Sequence, residues 1–300
     1  MSWRCLREGD LVGVIAPAGP SAAEPLALVE PLLARHGLRT RLYPSCQACA
    51  GFLAGPDALR LADLHAAFAD PEVAAVLCLR GGYGSGRLLD RIDPALLRAH
   101  DKPFIGYSDI TALHALRARE GLVGLHAPMP GSDLVKPERE ADAQALFSRL
   151  LGGWCAGEAQ SPTLDPAGLR VDGVAEGTLI GGNLSLVAAL IGTPFAWNPD
   201  GAILFLEDVG EEPYRIDRLL GQLRLAGVLD AVAGVLLGSF TEADSPAAVL
   251  QDYLAPLGKP VLGGWPSGHG TPNLPLPMGA RVQLDATRGR LTLLQDVLRP

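Results

Sequence analysis

The first 128 residues alternate short β-rich runs with amphipathic stretches, and this alternation limits the fold more than any other feature of the chain. LVGVIAPA (11–18), RTRLYP (39–44), VAAVLCLRG (73–81), KPFIGYS (102–108) and LVGLHAP (122–128) read as strands. Between them, PLALVEPLLARHG carries apolar residues at helical spacing up to a glycine stop, and PDALRLADLHAAF starts on Pro-Asp. Strands separated by helices imply a parallel sheet with both faces covered. Ligands of such sheets sit beyond the carboxyl ends of the strands, so the chemistry is expected in the loops that follow them.

From residue 129 to about 176 the pattern changes to PMPGSDLVKPERE and GEAQSPTLDPAGLRVDG around one helical stretch, ADAQALFSRLLGG. This shift to proline, glycine and charge marks a crossover between domains. A second domain, 177–300, follows. It has strand-like GAILFLED, AVAGVLLGSF, KPVLGG and RVQLDAT, helical NLSLVAALIG and PYRIDRLLGQLRLAG, and the loop WPSGHGTPNLPLPMG. The expected architecture is thus α/β, with a parallel-sheet domain at 1–128 and a β-rich α/β domain at 177–300.

Several function classes are disfavoured by composition. A formal net charge of -8 opposes binding to nucleic acid or to an anionic membrane surface, both of which call for clustered Lys and Arg. MSWRCLREGDLVGVIAPAGP lacks the apolar core of a signal peptide, and no run reaches transmembrane length, so a cytoplasmic protein is expected. Its five cysteines are odd in number and scattered, which predicts reduced thiols. Cys46 and Cys49 form a CxxC pair, but no second pair exists to complete a zinc site, and Ala-Gly follows where a redox motif would open a helix. No metal and no cofactor is expected.

LRGGYGSGRLLD (79–90) has glycines at phosphate-loop spacing, yet Arg87 and Leu88 stand where Lys and Ser or Thr would be needed. A dinucleotide fingerprint fails as well, since Arg87 replaces its third glycine. What remains is a glycine-rich turn after a strand, suited either to close packing or to presenting backbone N–H groups to an anion or a developing oxyanion.

Ser108 stands where KPFIGYS runs into a stretch with Ile110, Leu113 and Leu116 at helical spacing. A serine at such a corner is either an N-cap or the nucleophile of an elbow, in which the next backbone N–H helps bind the oxyanion. Ile110 takes the place of the second glycine of GxSxG, so an ordinary α/β-hydrolase is excluded. A nucleophile needs a base and an orienting group. His36, His65 and His100 fall at helix ends or surfaces, and His114 falls on a different helix face from Ser108. His126 ends a strand and could line a site. His269 projects from a glycine-flanked loop, PSGHGTPN, and Glu207 ends the apolar strand of LFLEDVGEEPYRIDR, where a carboxylate is costly unless paired.

Taken in order, LRGGYGSGRLLD, GYSD, LFLEDVGE and SGHG resemble the serine LD-carboxypeptidases of murein recycling and their relatives that give self-immunity to microcin C. GDLVGVIAPAGP, LIGGNLSLVAALIGTPF and LPLPMGARVQLD extend the likeness over most of the chain, whereas 129–176 carries no pattern of that family. The resemblance implies a flavodoxin-like N-terminal domain bearing the nucleophile, a C-terminal domain bearing Glu and His, a site at their junction and a homodimer. It implies Ser108 as nucleophile, His269 as base, Glu207 as orienting carboxylate, and the backbone N–H groups of Asp109 and Gly82 as the oxyanion hole. The implied reaction releases a terminal D-residue, D-alanine foremost, from a murein-derived tetrapeptide. Two alternatives stay open: hydrolysis of aminoacyl-adenylate conjugates, for which Trp154 could stack on a base rather than anchor the crossover, and a non-catalytic small-molecule binder in which Ser108 is only a cap.

Overall fold

The computed structural model describes residues 2–300. Its first sheet runs Arg39–Leu42, Leu11–Ile15, Val73–Cys78, Phe104–Ile105, Gly124–His126, all parallel, which is the flavodoxin-like order 2-1-3-4-5. The inner strands are apolar on both sides because both faces are covered, whereas the edge strand Arg39–Leu42 is partly exposed. Val12 and Val14 enter one core with Leu77 and Leu79, while Leu11 and Ile15 enter a second core with Val76 and Cys78. The strand order reverses between Leu11–Ile15 and Val73–Cys78, and the loops that leave those two strands meet there, Gly19 donating its N–H to the Gly81 carbonyl at 3.0 Å.

The second sheet has eight strands. Four central ones, Val174–Asn183, Ile203–Val209, Gly234–Thr241 and Val261–Leu262, are parallel. Antiparallel strands flank them, with Arg281–Asp285 and Arg290–Leu293 on one side and Arg170–Val171 on the other. The helices Leu184–Leu190 and Pro213–Leu225 pack a separate core against it through Leu184, Val187, Ile216 and Leu220.

Most of the expected elements are present, several of them shortened. PLALVEPLLARHG is two helices, Ala23–Ala27 and Val29–Arg35, and KPFIGYS holds only the strand Phe104–Ile105. Val174–Asn183 is a strand that the sequence reading did not find. Leu276–Met278 pairs antiparallel with Gly124–His126 and so becomes the sixth strand of the first sheet, although in sequence it lies between Val261–Leu262 and Arg281–Asp285, two strands of the second. Trp3–Arg4 pairs with Leu298–Arg299, so the two ends of the described chain lie side by side. No helix among the described residues is long and apolar enough to cross a membrane.

Candidate active site

Ser108 occupies the corner between Phe104–Ile105 and the helix Thr111–Arg119, at φ +63°. A left-handed backbone at a residue with a Cβ costs about 1–2 kcal/mol and persists only where the surroundings enforce it. The hydroxyl caps no helix N-terminus: the first turn, Ser108–Ile110, and the helix after it have no side-chain cap. It lies instead 3.0 Å from His269 Nε2. The strain and the contact together bring a half-buried hydroxyl to an imidazole, which capping does not require.

His269 donates from Nδ1 to Glu207 Oε2 at 2.6 Å, and its backbone N–H reaches the same oxygen at 3.3 Å. With Nδ1 carrying the proton, Nε2 is free to accept from Ser108. Glu207 has no exposed surface. Register with Gly234–Thr241 slips between Leu206 and Asp208, and a bulge of this kind re-aims a side chain at a strand end. Gly268 allows the approach: it sits at φ +109°, and a Cβ there would lie 2.6 Å from Glu207 Oε2. Burial, the largest influence on the His269 ring, opposes its charge, but the attraction and hydrogen bond of Glu207 outweigh it and the pKa is raised. A buried carboxylate thus makes the imidazole a stronger base, as proton abstraction from a hydroxyl demands.

The glycine-rich turn lies against the nucleophile. A Cβ on Gly81 would stand 2.8 Å from Ser108 Cβ and 3.0 Å from its Oγ, so only glycine fits. Gly82, at φ +102°, directs its amide to no backbone carbonyl among the described residues. Asp109 ties the two segments together, because its carboxylate accepts the Ser85 N–H at 2.8 Å and its carbonyl accepts the Ser85 hydroxyl. That side-chain role was not foreseen; its signal is an acidic residue directly after the serine at the head of an apolar helix.

The other candidates fall away from this centre. His126 is fully buried between Tyr107 and Phe205 with neither ring nitrogen partnered, and burial pushes its pKa well below the usual value. His114 bonds the Gly106 carbonyl at 2.7 Å and is pushed down to about 4, first by burial. His36 stacks on Phe147, His65 accepts the Asp93 N–H, and His100 is exposed. Glu211 pairs with Arg215. Cys46 is buried and bonded to the Val14 carbonyl, with its thiol pushed up to about 12 by burial, while Cys49 is exposed. Trp154 is 1% exposed and packs with the chain ends through a bridge to Leu298, so it anchors the crossover and offers no face to a nucleotide base.

A buried polar cluster in the crossover was also missed. Tyr107 donates to Asp133 at 3.1 Å and lies tilted against the His269 ring, with centroids 4.8 Å apart. Arg139 pairs with Asp142 and donates to the Gly270 carbonyl at 2.9 Å and to Thr271. Asp142 in turn accepts the Asn273 N–H at 2.9 Å, and Asn273 accepts that of Gly268. The crossover therefore holds both the Ser108 corner and the His269 loop. Its sequence signal is faint: Arg139 and Asp142 stand three apart in a stretch that reads as solvated charge.

A hydrogen-bonded Ser-His-Glu chain on an α/β scaffold defines the geometry of a serine hydrolase. The LD-carboxypeptidase N-terminal domain family matches residues 12–127 and the LD-carboxypeptidase C-terminal domain family matches 176–284, and the chain belongs to this family of serine carboxypeptidases. A protein of Bacillus subtilis (strain 168) named as a probable murein peptide carboxypeptidase is 41% identical over 295 residues, covering 94% of this chain and 91% of the relative. A muramoyltetrapeptide carboxypeptidase from Oxalobacter formigenes has a similar structure, with a TM-score of 0.84, 30% identity and coverage of 97% and 99%. The microcin C7 self-immunity protein MccF shares the fold at a TM-score of 0.90 over 99% of each chain, with 23% identity.

Proposed function

We propose that this chain cleaves an L,D-peptide bond and releases the terminal D-residue, D-alanine, of a murein-derived tetrapeptide. The observation that carries the reading is the continuous hydrogen-bonded chain from Ser108 through His269 to Glu207, on a serine held in a strained corner. Ser108 Oγ attacks the carbonyl carbon while His269 Nε2 takes its proton, and the charge that develops on the carbonyl oxygen is met by the N–H groups of Asp109 and Gly82. Collapse of the tetrahedral intermediate breaks the C–N bond, and His269 returns the proton to the leaving amine. Water, deprotonated by the same imidazole, then attacks the acyl-serine and frees the shortened peptide. Glu207 keeps the proton on Nδ1 and stabilises the imidazolium throughout. In this reading residues 1–128 supply the nucleophile, 177–300 supply the other two members, and 129–176 holds them in register.

The names of the two carboxypeptidase relatives support the choice of substrate. Trp154 is buried and supplies no stacking face for the adenylate alternative, which keeps the support of the fold shared with MccF. The carboxypeptidase reading is tested by release of D-alanine from an L,D-tetrapeptide: the wild type should turn over, and Ser108→Ala, with the fold intact, should fall by several orders of magnitude. Equal rates for the two would end the assignment.

A further inference from the structure

We propose that Arg80 is the group that recognises the free terminal carboxylate of the substrate. The inference rests on the carboxypeptidase reading above and specifies how that site tells a chain end from an internal peptide bond. A carboxypeptidase substrate differs from any other peptide by one charge, three bonds from the scissile carbonyl carbon and about 3–4 Å away. Without a cation fixed beside the nucleophile, nothing at the site would prefer an end.

Arg80 stands directly before Gly81 and Gly82, in the loop that leaves Val73–Cys78 at the point where the strand order reverses. Its Nη1 donates to the Pro20 carbonyl at 3.1 Å, which ties it to the loop after Leu11–Ile15. Its Nη2 lies 3.9 Å from the place a Cβ on Gly82 would take, and Gly81 between them touches Ser108. The guanidinium therefore adjoins the turn assigned to the oxyanion.

Its charge is uncommitted. The buried arginines of the first domain and the crossover are paired with carboxylates, Arg60 with Asp57, Arg117 with Asp101 and Arg139 with Asp142, whereas the unpaired Arg39 and Arg119 bond carbonyls nearer the surface. Arg80 is half-buried, its Nε is buried without a partner, and its one hydrogen bond among the described residues goes to a neutral carbonyl. A chain with 33 acidic side chains has placed none of them there. A partly desolvated guanidinium left open beside the glycine turn that meets the nucleophile suits a planar carboxylate, which it can bind through two parallel N–H···O bonds. Anchoring the carboxylate also fixes the direction in which the leaving residue exits the oxyanion turn.

The test compares two substrates on each enzyme, an L,D-tetrapeptide ending in a free carboxylate and the same peptide ending in a carboxamide. Arg80→Met should lower kcat/KM for the acid about 10- to 100-fold, the range of a lost charge-assisted contact, and leave the amide within about twofold. Labelling of Ser108 by a fluorophosphonate at the wild-type rate would show that the catalytic corner is intact. Where the methionine variant does not fold, Arg80→Lys serves, since it keeps a point charge but loses the fork and should lower the acid-to-amide ratio about tenfold. An unchanged ratio, or an equal fall on both substrates, overturns the assignment and leaves Arg80 a brace for the Pro20 loop. A wild-type enzyme that cleaves acid and amide equally well overturns the carboxypeptidase reading itself.

Discussion

Glu207→Gln keeps the shape of the side chain and removes its charge. Glu207 accepts two N–H groups from His269, at 2.6 and 3.3 Å, in a position without solvent. A glutamine there has two orientations. With its oxygen toward Nδ1, its NH2 takes the place of Oε1, which has no partner, at a cost of about 1–3 kcal/mol for an unsatisfied buried donor. With its NH2 toward Nδ1, the imidazole proton moves to Nε2 and faces Ser108, so the ring cannot accept. Loss of the correct tautomer and of cation stabilisation should lower kcat by about 10³- to 10⁴-fold, the scale of the corresponding Asp→Asn change in serine proteases. The pH profile carries an independent signature. His269 must be neutral to act, and its pKa is raised because Glu207 outweighs burial, so wild-type activity falls as pH drops through that raised value. In the variant burial is opposed only by the weaker attraction of Asp208 and Asp133, and the acidic limb of kcat/KM moves to lower pH. Steady-state D-alanine release by both enzymes from about pH 5 to 9 reads both quantities. A loss under tenfold, or a limb that stays in place or moves up, would refute the assignment of Glu207.

Gly81→Ala drives a Cβ to 2.8 Å from Ser108 Cβ, and should cost about 1–3 kcal/mol in urea denaturation and on the order of a hundredfold in kcat. Ser108→Gly should be more stable than Ser108→Ala by roughly 0.5–1 kcal/mol, because only glycine relieves the +63° backbone; equal unfolding midpoints would argue against strain at the corner. His114 has its folded pKa lowered to about 4, so the unfolded chain binds the proton first and stability is lost as pH falls from about 6.5 toward 4. By pH 5 this should amount to about 2 kcal/mol, and His114→Gln should lose that much less between pH 7 and 5 than the wild type does. Arg139→Met leaves Asp142 buried without its cation and the Gly270 carbonyl without its donor, and should destabilise by about 3–5 kcal/mol with a fall in kcat larger than any change in KM.

The first sheet was legible because its inner parallel strands are apolar runs and helical patterns separate its parallel strands from one another. Val174–Asn183 was not, because Gly177, Gly181 and Gly182 depress its strand propensity, although a side chain at 181 would collide with the Phe205 carbonyl. Leu276–Met278 was missed for another reason: three residues within a proline-rich loop carry no period, and their place beside Gly124–His126 follows from tertiary packing. At the site, Ser108 and Glu207 were visible as polar residues where apolar strands end, and His269 as a ring among glycines. On local pattern Ser108 fitted a cap better than a nucleophile, and only its φ and its contact with His269 separate the two readings. Asp133, Arg139 and Asp142 were hidden, since a charge cluster looks solvated until the loop it holds, more than 120 residues on, is packed against it.

The central claim is that Ser108 is an activated nucleophile, and covalent labelling tests it most directly. After exposure to a fluorophosphonate, mass spectrometry of the digested protein should find one adduct, on the peptide containing Ser108, suppressed by the L,D-tetrapeptide and absent in His269→Ala. An adduct on another residue, or labelling of Ser108 that persists unchanged without His269, would contradict the account.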